Sequence, residues 1–304
     1  MPFKSLFGSR KSKDEKTHQP ADFDQKKKAK PISKSLLAKW SKPQLTPGVY
    51  GAFPISFVVR FTTPRDSRSG QNLCLGVDYH GTFIPLNAVV FDVTNWRNVT
   101  LLSTPELDSV PLSYIGDEKL MSLAIVVALP SPATPDVETN HVQRISVIPG
   151  KSGKFRFTAM VGPEGAQEEE EFEWRSSYEE EGGKDEALPL FRRLVRLKTS
   201  SEGCDDVVFE YASELWWRDM YEGRTAGACT FKGAGLTGEM GPMFTLLAVT
   251  SILKIICIEW WQKVVGRLIV QGTKKVALGV ATTAAVSVKI TMVGVNIALT
   301  TGAL

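Results

Sequence analysis

The side chains that most often do chemistry are few in this sequence and poorly grouped. There are three histidines, His18, His80 and His141. In "VDYHG" the spacing of Asp78 and His80 puts both on one face of a strand. A structural or catalytic zinc needs three or four protein ligands, and no cysteine or further histidine stands at ligand spacing, so the pair reads as an ordinary surface contact. Cys74, Cys204, Cys229 and Cys257 are scattered, without a CxxC. That is the usage of free thiols in a reducing compartment. The nucleophile elbow GxSxG is absent. "PGKSGKFRF" contains GKS but lacks the glycine that a P-loop carries five residues before Gly150; a hairpin turn is expected there. Gly233, Gly235 and Gly238 in "GAGLTG" match GxGxxG, a pattern that signals dinucleotide binding only inside a βαβ unit. Carboxylates crowd in a single polar run rather than converging in a cleft. The expectation is a protein without catalytic residues, cofactor or metal.

Charge is the stronger signal. Net charge over 304 residues is only +3, yet residues 1–45 hold twelve Lys/Arg against four Asp/Glu, about +8, which leaves about −5 (+3 minus +8) for the rest. Two clusters dominate: Arg10, Lys11 and Lys13 in "SRKSK", and Lys26, Lys27, Lys28 and Lys30 in "QKKKAKP". Such mobile charge binds phosphates without reading sequence and weakens steeply with salt. Against anionic lipid each Lys or Arg near the surface adds about 1 kcal/mol. The partner expected from charge is therefore a nucleic acid such as RNA, or an anionic membrane surface; a solubilising or nuclear-targeting tail is the plainer reading. The opening "MPFKSLFGSRKSKDEK" has no apolar stretch of signal-peptide length.

Four regions follow from composition. Residues 1–45 form a disordered basic arm, poor in core-forming residues. Within it "SKSLLAKWSK" sets Leu36 and Trp40 on one face of a short amphipathic helix. Residues 46–163 read as strands punctuated by Pro, Gly, Asn and Asp, at the spacing of a β-sandwich-like core. Phe155, Phe157 and Ala159 alternate with Lys154, Arg156 and Thr158, the pattern of a half-buried strand. Residues 164–187, with eleven acidic side chains, read as a solvated linker. Residues 188–304 read as α+β. A long apolar helix is expected over Met243–Val270, about 42 Å at 1.5 Å per residue, as a core helix or a membrane element. Lys254 and Glu259 interrupt it.

The end of the chain, "VALGVATTAAVSVKITMVGVNIALTTGAL", is apolar enough for a membrane span but alternates like strands. Val288, Ile290 and Met292 alternate with Lys289 and Thr291, and the parity flips once before Val295, Ile297 and Leu299. Strands are expected over a spanning helix, with a bulge or tight break at the flip. Trp216, Trp217, Trp260 and Trp261 occur as pairs suited to membrane or oligomer contact, or to a core.

A basic tail, a β-rich middle and no catalytic motif look like a viral non-enzymatic protein. "IPLNAVVFDVTNWR" resembles the core strand of plant-virus movement proteins of the thirty-kilodalton superfamily, a hydrophobic strand leading into an aspartate with a basic residue after it; Asp92 and Arg97 take those places. "LSYIGDEKLMSLAIVVALP" is similar to that family's small-and-aromatic stretch before an apolar strand. The resemblance implies an oligomeric carrier of RNA or nucleocapsid at the cytoplasmic face of host membranes and at plasmodesmata. Negative-strand virus matrix proteins are the competing resemblance. An integral membrane scaffold is the third reading.

Overall fold

A computed structural model describes residues 45–62, 71–91, 98–118, 124–132, 140–148, 154–163, 166–176, 191–197, 206–213, 225–259, 288–292 and 295–299. Twelve strands run in chain order: β1 (Ser56–Phe61), β2 (Gln71–Tyr79), β3 (Thr82–Phe91), β4 (Val99–Leu102), β5 (Pro111–Asp117), β6 (Ile125–Leu129), β7 (His141–Val147), β8 (Phe155–Val161), β9 (Glu168–Ser176), β10 (Phe191–Arg196), β11 (Asp206–Ser213) and β12 (Thr225–Phe231). Each pairs antiparallel with its neighbour in sequence, and β1 pairs with β12, so the sheet closes into an up-and-down barrel. The expectation of a mainly β protein holds. The sandwich does not: a sandwich keeps two sheets with free edges, whereas here the first and last strands join.

The closure also redraws the regions. β9 lies inside the stretch read as an acidic linker, and it pairs with β8 and β10. Its sequence EEEEFEWRS explains the misreading. Glutamates dominate the composition, but Phe172, Trp174 and Ser176 alternate inward and are buried while Glu171 faces out. Strand period outweighs net charge once neighbours on both sides satisfy the backbone. β10 to β12, assigned to a separate α+β region, complete the same barrel.

A barrel of about eight strands is filled by its own side chains, and wider ones need a plug or hold a channel. Twelve strands here enclose a helix. After a single short turn of helix, α1 (Ala234–Thr237), the helix α2 covers Pro242–Glu259. Leu246, Leu247, Ala248, Val249, Ile252, Leu253, Ile255 and Ile256 are all buried, on every side of its axis. A helix apolar all round needs an enclosing core or a membrane. α2 is long and apolar enough to cross a bilayer, but it touches β5 and, five strands further round the ring, β10. Only a helix in the lumen reaches both walls. The Phe172 and Phe244 rings, 4.7 Å apart, join wall to helix near its start.

The last strands, β13 (Val288–Met292) and β14 (Val295–Leu299), pair antiparallel as a hairpin separate from the barrel. Strands were expected there. The parity flip is a two-residue connection rather than a bulge: Met292 pairs with Val295, and the register sets Val288, Ile290 and Met292 opposite Leu299, Ile297 and Val295.

Candidate functional site

The polar groups that the sequence could not place meet inside the barrel, along α2. The helix runs parallel to β5: Thr250 lies 2.8 Å from the Ser113 hydroxyl, and one turn on the Lys254 ammonium lies 3.0 Å from Asp117. On the wall formed by β9 and β10, the Trp174 indole N–H donates to Ser251 Oγ at 2.9 Å, and Ser251 donates back to the Ala248 carbonyl. At the last described turn, Arg192 donates to Glu259. Lys254 is 1% exposed, so its charge is held where an unpaired ammonium would be costly. Apolar packing holds the helix in place, and these four contacts fix its rotation and depth.

The buried thiols and the buried phenol are kept neutral by the same environment. Burial pushes Cys74 up to about 11 and Cys257 up to about 12, and it raises Cys229 and Tyr211 as well. Thiols in that state are packing groups, not nucleophiles. Among the described residues no group of three His, Cys, Asp or Glu could hold a metal ion.

A cavity of about 150 Å³ opens at the end of the barrel where α2 begins, lined by Val161, Glu168, Glu170, Arg196, Glu239 and Met240 among others. Arg196 is engaged there by Glu170 and Asp206. The space suits a few waters on charged walls.

The exterior carries ion pairs too. On β8 and β9, Glu173 accepts from Arg156 and Arg175; on β10 to β12, Glu210 pairs with Arg193 and Lys232. A membrane-spanning barrel needs an outward apolar band, and this side presents charge. Burial raises the Glu173 carboxyl, but hydrogen bonds from the two arginines outweigh it and hold the group below the usual carboxylate range. A depressed carboxylate stabilises the fold above its unfolded value, about 4.3, and that contribution is lost as pH falls through the lower folded value. The urea midpoint is therefore expected to stay level above about pH 5 and fall below about pH 4.3. Glu173→Gln is expected to flatten that fall; an unchanged acid limb contradicts the assignment.

The residues expected from sequence to bind or to carry the family motif all lie outside the described residues: Arg10, Lys11, Lys13, Lys26, Lys27, Lys28, Lys30, Leu36, Trp40, Asp92, Arg97, Trp216, Trp217, Trp260 and Trp261. Of the pairs that sequence flagged, Asp78 binds Arg60 rather than His80, and His80 meets the Tyr79 ring edge-on at 4.3 Å. The GKS segment lies outside the described residues; β7 and β8, on either side of it in sequence, pair antiparallel. Gly235 of "GAGLTG" sits where a Cβ would be 2.2 Å from the Val208 carbonyl, so close packing on β11 accounts for it. Lys254 and Glu259 were visible as charges in an apolar helix. Their partners Asp117 and Arg192, more than sixty residues away, were not.

No family model, no curated protein and no solved structure matches this chain.

Proposed function

We propose that this chain is a non-enzymatic viral movement protein: a barrel body carrying a basic arm that gathers single-stranded RNA or nucleocapsid by charge, at the cytoplasmic face of host membranes. The observation that carries the reading is the charge split, about +8 on residues 1–45 against about −5 on the remainder. The body's construction supports it. The lumen is occupied by the chain's own helix, and the ionisable groups along that helix are paired with carboxylate or guanidinium partners on the wall. A body of this kind supplies shape, and an arm supplies attraction. The segments resembling movement proteins supply the more specific role: "IPLNAVVF" is β3 up to the residue before Asp92, and "IVVAL" is the fully buried β6.

The test is binding of a labelled single-stranded RNA to the full chain and to a variant with Lys26, Lys27, Lys28 and Lys30 changed to Gln. A loss of about thirtyfold or more at moderate salt is expected, on the order of four lost phosphate contacts; equal affinity rules out the arm. The movement role then predicts rescue of a movement-defective plant virus. Release of virus-like particles from cells expressing this chain alone assigns the matrix role instead.

A further inference from the structure

The hairpin β2–β3 leaves the barrel wall. The ladder between β1 and β2 stops at Val58–Gly76, and that between β3 and β4 starts at Val89–Leu101. Among the described residues, Val77–Leu86 is therefore laddered only within the hairpin, as a two-stranded ribbon at the end of the barrel where α2 begins. Its turn places His80 at φ 50° and Gly81 at φ 79°, the two positive values of a primed hairpin turn, which holds the ribbon straight and twisted. Its base is stiffened by a stack: the Phe83 ring lies against Gly76, where a Cβ would be 2.6 Å away, and the Arg60 guanidinium sits 4.3 Å over that ring.

The tip is apolar and uncharged. No Lys, Arg, Asp or Glu occurs from Tyr79 to Phe91, and Asp78 is neutralised by Arg60 at 3.0 Å. Tyr79 is 63% exposed and Ile84 42% exposed. Ile55, Leu107 and Val110 are also exposed at the same end of the adjoining strands, Leu107 between the exposed carboxylates Glu106 and Asp108. An exposed apolar group of this kind marks an interaction surface.

We propose that this ribbon tip docks the barrel onto an anionic phospholipid bilayer, with Tyr79 at the headgroup level and Ile84 reaching the acyl boundary. The inference rests on the membrane part of the reading above. Two observations select lipid. The tip is aromatic, aliphatic and charge-free, the composition that partitions into the interface. The chain enters the barrel at this same end, where the Leu45 N–H donates to Asn140 and the Gly48 N–H to the Ser131 carbonyl, so the basic stretch before Leu45 joins the fold on the side that would face the headgroups. Stable attachment takes two signals, and the tip and the arm provide an apolar and an electrostatic one.

Flotation of the full chain with vesicles of phosphatidylcholine and phosphatidylserine tests this. The double variant Tyr79→Ser, Ile84→Ser is expected to partition about tenfold or more weakly, with RNA affinity unchanged. As a second readout, Thr82→Cys in a Cys204→Ser background takes an environment-sensitive fluorophore, the other three thiols being buried. Its emission is expected to shift to the blue when vesicles are added. Equal partition of the double variant, or no spectral shift, overturns the proposal. So does a self-association that the double variant abolishes while vesicle binding persists, which would assign the tip to a second copy of the chain. Failure of the arm reading appears separately, as RNA affinity that survives the lysine changes.

Discussion

Asp117→Ala is expected to destabilise the protein by about 3–5 kcal/mol, the order of cost for removing one member of a buried ion pair. Lys254 is almost wholly buried on a helix enclosed by the barrel, so its ammonium cannot turn to water when the carboxylate is removed. Asp117 is different: its side chain is 24% exposed at the barrel's end. Lys254→Met, which leaves the carboxylate where water reaches it, is therefore expected to cost clearly less than Asp117→Ala. Combining Asp117→Asn with Lys254→Met is expected to restore most of the loss, because exchanging a buried pair for neutral groups is often close to neutral. Urea unfolding measures all three variants. Equal costs for the two single changes, or an Asp117→Ala effect within about 1 kcal/mol of zero, would mean that the pair behaves as a surface contact and that α2 is not held as described.

Removing residues 1–35 is expected to abolish most RNA binding at moderate salt. The two clusters supply seven basic groups. If each neutralises one phosphate, log affinity falls with log salt at a slope of about −5, that is about −0.7 per contact on a single strand. Among the described residues of the chain left behind, Arg156, Arg175, Arg192, Arg193, Arg196 and Lys254 are each paired with a carboxylate. The truncated chain is thus expected to bind weakly and with a slope near zero, while its urea midpoint stays close to that of the full chain. Retention of affinity within about threefold, far less than seven lost phosphate contacts should cost, would move the binding site onto the barrel.

Individual strands were legible because alternation survives in a single chain. β8 reads inside-out-inside from its letters alone, and β6 reads as a run buried on both faces. The closure was not legible. Whether β1 meets β12 depends on pairing Phe57 with Cys229, residues that no local pattern connects. β9 was hidden because its glutamates look like a solvated run, and the signal that could have found it was Phe172 and Trp174 at spacing two. The helix α2 was expected as apolar, but its surroundings decide its role. The same eighteen residues would suit a membrane, and the twelve-stranded wall makes them a plug. Polar contacts across the lumen, such as Trp174 with Ser251, follow from that wall and have no signature in either segment.

Whether the arm or the barrel meets the phosphates is decided by the salt dependence of single-stranded RNA binding, measured for the full chain and for residues 36–304 from about 50 to 200 mM salt. The full chain is expected to lose about a thousandfold in affinity over that range, and the truncated one to respond weakly and almost flatly. Parallel salt slopes for the two chains would place the phosphate contacts on the barrel and remove the arm from the mechanism.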